Sequence, residues 1–154
     1  MKKVKLFLLL LIISICYSCK SSQIIDTDNF FIMVYDFENN ALKDVHVSID
    51  GKEKGSSDVY GRLSLSLPLD NEEHTIQLSK SNYETIILTT TLEGEKVLYY
   101  KMGSADYYAA LAEKELDEGH YEAATEAINK ALTINTRKDY LYLSHVINVL
   151  ESGQ

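Results

Sequence analysis

The stretch Ser57-Asp58-Val-Tyr-Gly61-Arg-Leu-Ser-Leu-Ser-Leu-Pro68 reads as a tight turn feeding a half-buried strand. Asp58 can hydrogen-bond the backbone of the turn, and Gly61 supplies the positive φ that such a turn demands. Leu63, Leu65 and Leu67 then alternate with Ser64 and Ser66, the period of two that puts one strand face in a core and the other in water. Pro68 sits at the strand end, where its missing N–H does least damage.

The same pattern recurs on both sides. Phe30 to Tyr35 is a nearly continuous apolar run, as expected for a strand covered on both faces. Val45, Val47 and Ile49 alternate with polar neighbours, Ile76 and Leu78 repeat the pattern, and Ile86, Leu88 and Leu92 continue it to Val97 through Tyr100. Between these runs stand Glu38-Asn39-Asn40, Asp50-Gly51, Leu69-Asp70-Asn71, Ser81-Asn82 and Glu93-Gly94, and Asp-Gly is a favoured type I′ hairpin pair. Roughly seven short strands over residues 29–102 predict a small antiparallel β-sandwich.

Three segments carry a family resemblance. Leu42-Lys-Asp-Val-His-Val-Ser-Ile, the Ser57 to Pro68 turn and strand, and Ile76-Gln-Leu-Ser-Lys-Ser-Asn-Tyr83-Glu-Thr resemble a carboxypeptidase regulatory-like, transthyretin-type domain. Asn82-Tyr83 stands where that family commonly has Gly-Tyr, and Asn is among the few other residues that tolerate the left-handed region. Ile49-Asp-Gly-Lys-Glu-Lys-Gly55 is also similar to PEGA domains, a related kind of envelope β-module. The resemblance is to an accessory domain, so the peptidase name implies no peptidase activity.

From Ala105 the period becomes helical. Tyr108, Leu111, Ala112 and Leu116 share one face, Gly119 breaks the chain, and Ala124, Ile128, Ala131 and Leu132 form a second face. Ala105 to Lys138 resembles a tetratricopeptide repeat of roughly 34 positions. Glu115, at a position usually apolar, and Thr136, in place of the terminating proline, depart from that pattern. Thr136 with Asp139 reads as a capping box opening a third, capping helix over about Lys138 to Ser152, which carries Tyr142, Val146 and Val149 beside Leu143, Ile147 and Leu150. The expected fold class is therefore α+β: a small antiparallel β-sandwich (29–102), then a tetratricopeptide-like helical hairpin and capping helix (103–154).

The first residues set the address. Lys2, Lys3 and Lys5 precede an apolar stretch from Leu6 to Ile15 broken only by Ser14. That is too short for a permanent span and has the layout of a secretory signal. Ser18-Cys19 resembles the junction of a lipobox, although Cys16 and Tyr17 replace its usual aliphatic and small residues. Residues 1–18 are thus expected to be a lipoprotein signal peptide, Cys19 the lipidated residue, and 19–28 a tether carrying it. Both cysteines lie within this segment, leaving no thiol for a disulfide, a metal or nucleophilic chemistry. Loss of the three signal lysines leaves roughly 12 bases against 23 acids and a net charge of about −11. An acidic chain without a basic stripe is poorly suited to nucleic acid. Attachment to the membrane would come from the lipid, and several acyl chains anchor firmly where one is marginal.

Little in the rest points to chemistry. His46, His74, His120 and His145 lack recognised metal-ligand spacing. Asp26-Thr-Asp28-Asn29 begins like a calcium loop but meets Phe30 and Phe31 where oxygen ligands should follow. No nucleophile, base and oxyanion arrangement is readable, so no catalytic residue, cofactor or metal is assigned. Tyr99, Tyr100, Tyr107, Tyr108, Tyr121, Tyr140 and Tyr142 gather around the β-to-helix boundary, as an interdomain core or as an aromatic platform for peptide or sugar.

The expectation is a lipid-anchored, non-enzymatic adaptor on the periplasmic face of an outer membrane, meeting an envelope protein. A glycan- or peptide-binding module is the alternative. Asp106, Ala109, Glu113 and Asp117 recur at helical spacing away from Leu111 and Ala112, on the helix that lines the concave face in repeats of this type. They are the expected partner-binding residues. The anchor is tested by lipid labelling: Cys19→Ala should abolish it and Cys16→Ala should keep it, and unchanged labelling of the Cys19 variant would sink the assignment.

Overall fold

The turn that opens the sequence argument closes as its residues dictate. Asp58 Oδ1 accepts from the Tyr60 and Arg62 amides at 2.9 Å each, Gly61 N–H donates to the Asp58 carbonyl at 2.9 Å, and Gly61 stands at φ 72°. Those two amides and the Arg62 side chain hold the Asp58 carboxyl below its ordinary range against some loss of hydration. A Cβ built on Gly61 would overlap the Val34 carbonyl oxygen, because the neighbouring strand arrives there. The Val34 N–H donates to the Gly61 carbonyl at 2.8 Å, and the Leu42 N–H to the Val34 carbonyl at 3.0 Å. Only glycine meets both demands.

The computed structural model describes residues 27–68, 72–92 and 97–153. The signal segment, Cys19 and most of the tether lie outside the described residues. Seven strands follow in order: β1 (Thr27–Tyr35), β2 (His46–Ile49), β3 (Lys52–Ser56), β4 (Arg62–Pro68), β5 (Glu73–Ser79), β6 (Ile86–Thr91) and β7 (Val97–Lys101). Sheet order is β4-β1-β7 in one layer and β3-β2-β5-β6 in the other. Phe30, Ile32, Val34, Leu65 and Leu98 from the first sheet meet Val47, Ile49, Ile76 and Leu78 from the second in one core. Ser57, only 3% exposed, is the polar clip in that core. Its hydroxyl accepts from the Val45 amide at 2.9 Å and donates to the Leu42 carbonyl at 2.6 Å.

Three strand readings need correction. The sandwich is not wholly antiparallel, since β7 runs parallel to β1 with Phe31 opposite Val97 and Tyr35 opposite Lys101. The chain crosses from the second sheet to the first between β6 and β7, so no tight hairpin fixes the direction, and side-chain alternation reads the same in either pairing. β1 is not covered on both faces: Phe30, Ile32 and Val34 are buried while Phe31, Met33 and Tyr35 are half-buried. Lys52–Ser56 forms an additional strand without an apolar residue. It is held by the Asp50-Gly51 turn, whose φ values of 51° and 72° fit the type I′ expectation.

Three helices follow: α1 (Ala105–Asp117), α2 (Tyr121–Ile134) and α3 (Lys138–Ser152). Ser104 caps α1, its hydroxyl accepting from the Tyr107 amide at 3.0 Å. Gly119 at φ 79° turns the chain into α2, and Ala105, Ala109, Ala112, Ala124, Ala127 and Ala131 are all buried where the helices meet. The Thr136–Asp139 capping box does not form. Arg137 is the N-cap without a side-chain bond, the Thr136 hydroxyl turns back to the Leu132 carbonyl at 3.5 Å, and Arg137 takes the Asp139 carboxylate at 2.6 Å. Of the apolar residues on α3, Ile147 is buried together with Tyr140, whereas Tyr142 and Val149 are 71% and 53% exposed.

Gly61→Ala and Gly51→Ala separate two costs. Both positions stand at φ 72°, but a Cβ on Gly51 meets nothing within 4 Å, so that variant should lose only the strain of about 1–3 kcal/mol. Gly61→Ala must in addition push the Val34 backbone aside, and its urea midpoint should fall further than that of Gly51→Ala. Equal midpoints would show that the close approach to β1 is not a constraint.

Candidate functional site

The sandwich and the helices are joined through residues 82–84 and 103–105. The Glu84 N–H donates to the Gly103 carbonyl and the Ala105 N–H to the Asn82 carbonyl, each at 2.9 Å. Glu84 Oε1 accepts from the Gly103 amide at 2.6 Å and from the Tyr108 hydroxyl at 2.9 Å. Burial, then the Glu84 carboxylate, pushes the Tyr108 hydroxyl pKa well up. Asn82, at φ 63° as its place in the Asn-Tyr pair predicted, also accepts from the Asn135 side-chain amide at 2.8 Å.

Aromatic rings pack beside this joint. Phe37 stacks on Tyr107 with centroids 4.9 Å apart, Tyr107 meets Tyr108 edge-on at 5.4 Å, and Lys130 Nζ lies 5.4 Å from the Tyr108 ring. A groove of about 560 Å³ runs along it, lined by Tyr83, Glu84, Tyr108, Asn129, Lys130 and Ile134 among others. Not all the tyrosines gather here. Tyr108 and Tyr140 are buried, whereas Tyr99 and Tyr142 are 52% and 71% exposed and belong to other surfaces.

The four residues predicted to line a partner surface on α1 part company. Asp106 Oδ1 accepts from Arg137 Nη1 at 2.7 Å and from the Tyr140 hydroxyl at 2.6 Å, and the Arg137 guanidinium lies 4.6 Å from the Tyr140 ring centroid. Ala109 is 8% exposed and lies in the helical core, so it faces no partner; α3 begins beside Asp106, and a small residue lets the helices close. Glu113 and Asp117 are exposed. Asp106 is exposed as well, its side chain 73% accessible, so the three acids share the outer side of α1 while Asp106 also seats α3. The Arg137-Lys-Asp-Tyr140 run, rich in donors, was the sequence signal for that role.

The described residues also bring Glu115, Glu118 and His120 together at the α1–α2 turn, with ligand atoms within 4.8 Å of one another. His120 Nδ1 lies 3.0 Å from Glu115 Oε2 and 3.5 Å from Glu118 Oε2. A hydrogen bond between His120 and Glu115 across the α1–α2 turn accounts for this cluster, and it explains how Glu115 is accommodated at a position expected to be apolar.

Two surfaces escaped the sequence reading. On the outer face of the first sheet, Tyr35 and Tyr99 stack with centroids 5.1 Å apart and Arg62 lies 5.8 Å from the Phe31 ring centroid. On α3, Leu141, Tyr142, Val149 and Leu150 are 49%, 71%, 53% and 45% exposed. Reading Phe30 to Tyr35 as a strand covered on both faces hid the first, and apolar residues on several sides of α3 hid the second. Among the described residues no helix is long and apolar enough to cross a membrane.

No family model and no curated protein matches the chain. Similar solved structures include the 3-chlorocatechol 1,2-dioxygenase of Rhodococcus opacus 1CP (TM-score 0.46, 13% identity, 55% of this chain and 62% of that one). The D295N mutant of the shaft pilin SpaA from Lactobacillus rhamnosus GG gives a TM-score of 0.39 at 17% identity over 51% of this chain and 48% of that one. The Bacillus anthracis TIE protein gives 0.39 at 14% identity over 51% and 16%. The chain thus spans less than two thirds of the length of each, and likenesses of this extent carry no functional argument.

Tyr140 offers a spectroscopic check on the α1–α3 seat. Burial, then the bond to Asp106, pushes its pKa up to about 12. The stability that this shift represents is complete below the ordinary tyrosine value near 10 and is lost as pH rises through about 12, because the unfolded chain ionises first. In an ultraviolet tyrosinate titration, Tyr140→Phe should remove one late-ionising group. Tyr108 also ionises late, so the test is the amplitude: a late step of undiminished size in Tyr140→Phe would refute the assignment.

Proposed function

We propose that the chain is a lipid-anchored, non-enzymatic adaptor of the bacterial cell envelope, held by Cys19 on the periplasmic face of an outer membrane. In this reading the sandwich is a carboxypeptidase regulatory-like or PEGA-like spacer, and the helices are one tetratricopeptide-like unit with a following helix. The observation that carries the reading is the outer face of α3. Helical stacks of this type close on a helix whose outer face is polar, yet α3 turns Leu141, Tyr142, Val149 and Leu150 to the outside. An amphipathic helix of a partner protein is the occupant such a stack end fits. Glu113 and Asp117 add an acidic edge that favours a partner with basic residues and weakens with salt.

A second reading has its own observation. The groove at the joint, about 560 Å³, falls within the usual size of ligand pockets and mixes tyrosine rings with carboxylate and amide groups, a lining that suits an envelope glycan or peptide. The two readings part in a crosslinking pull-down from membranes. Tyr142→Glu with Val149→Lys, both on exposed positions and so within about 0.5 kcal/mol of parental stability, should lose a stoichiometric protein partner. If that double variant recovers the same partner in the same amount, α3 is not the docking face. Retention on isolated cell wall without protein would favour the ligand module instead.

A further inference from the structure

The first sheet has two faces of different fate. Its even positions on β1 fill the core, while the odd ones, Phe31, Met33 and Tyr35, point outward with Val97 and Tyr99 of β7 beside them in register. Among the described residues no helix packs on any strand in this fold, so none of the three helices covers this face. Val97 and Tyr99 are 51% and 52% exposed.

Its charge is equally distinctive. The outward strand positions of β4 are Arg62, Ser64 and Ser66, and Lys101 ends β7 opposite Tyr35. The described outward positions of the three strands therefore carry two cations and no acid, in a chain with 23 acids against 15 bases. Asp58, in the turn before β4, receives the turn amides on Oδ1 and pairs with Arg62 through Oδ2 at 3.5 Å, leaving the Arg62 guanidinium half-exposed. An acidic protein is repelled by an anionic lipid surface over most of its exterior, and this face is where that repulsion is relieved.

We infer that the outer face of the β4-β1-β7 sheet lies against the phospholipid surface, with Phe31, Met33, Tyr35, Val97 and Tyr99 at head-group depth and Arg62 and Lys101 on lipid phosphates. The geometry rests on the anchoring reading above. Thr27, the first residue of β1, follows closely on Cys19, within a reach of under about 30 Å when the chain between them is fully extended. So short a tether makes docking an intramolecular event, in which modest surface affinity suffices. Tyrosine and phenylalanine suit that depth because their rings accept an apolar neighbour on one side and a wet one on the other. Lys and Arg near the surface add roughly 1 kcal/mol each on an anionic leaflet.

The chain has no tryptophan, so Tyr99→Trp gives a single reporter on this face and Tyr142→Trp a single reporter on α3. The full-length protein is reconstituted into vesicles of phosphatidylcholine and phosphatidylglycerol containing brominated acyl chains. Emission from the sheet reporter, Tyr99→Trp, should shift to shorter wavelength and be quenched, while the α3 reporter, Tyr142→Trp, should stay in water. Val97→Trp repeats the measurement should the first variant fold poorly. Adding Arg62→Gln and Lys101→Gln should abolish the quenching although the protein still floats with the vesicles. Flotation with the sheet reporter unquenched would overturn the proposal and leave the anchor standing. A blue shift of the sheet reporter in the absence of vesicles, growing with protein concentration, would overturn it in favour of a second copy on the face. Absence of lipid on Cys19, read by labelling, would remove the anchor but not the quenching at high vesicle concentration.

Discussion

One carboxylate oxygen ties the two halves of this molecule together. Glu84 Oε1 receives both the Gly103 amide and the Tyr108 hydroxyl, a charged acceptor shared between the strand connection and the first turn of α1. Charge-assisted bonds of this kind are roughly twice as strong as neutral ones, and shielding by Tyr83 and Tyr108 strengthens them further. Among the described residues no helix packs on a strand of the sandwich. The direction in which α1 leaves therefore follows from this joint and its backbone neighbours, together with Met102, which is fully buried in the sandwich core and donates its amide to the Tyr35 carbonyl at 2.9 Å. Gly103 belongs to the same constraint, because any side chain there would run into the Tyr108 ring.

What was legible in the sequence was local. The Asp58 turn, the left-handed Asn82, the Asp50-Gly51 hairpin and the Gly119 break each depend on residues a few positions apart, and the chemistry of those residues leaves few alternatives. What was not legible depended on the partner of a group. β3 has no apolar pattern of its own and exists because β2 offers it an edge. The parallel run of β7 follows from a crossover between sheets. Asp106 is exposed as its place in an acidic stripe implied, but that Arg137 and Tyr140, some thirty positions on, bond its oxygen was not readable. The buried stripe of α3 turned on Tyr140 for the same reason: its hydroxyl had a carboxylate to reach, and Tyr142 did not.

Those partnerships also bear on chemistry. Strongly shifted groups mark candidate active sites only when no structural role accounts for them. Asp58 is lowered by the amides of its own turn, and Asp50 by its bonds to His74 and the Thr75 amide. Tyr108 and Tyr140 are raised by burial and by the carboxylates that seat α1 and α3. Arg137 is raised and Asp139 lowered through their mutual bond. Each of these shifts is thus the signature of an element being positioned.

The surfaces left over divide by polarity in a way that a tethered adaptor would need. Arg62 and Lys101 lie with the aromatic side chains of the first sheet, while Glu113 and Asp117 lie on α1 of the helical unit. Because, among the described residues, no helix packs on the sheet and no strand packs on α3, a lipid surface on one and a protein helix on the other would not compete for the same residues. A sandwich serving only as a spacer would be expected to carry polar side chains on a solvent-facing sheet. Phe31, Met33, Tyr35, Val97 and Tyr99 break that rule on two neighbouring strands at once, and the stacked Tyr35–Tyr99 pair makes the departure continuous across them. Isolated exposed apolar residues are ordinary on protein surfaces, but a contiguous set in strand register marks an interaction face.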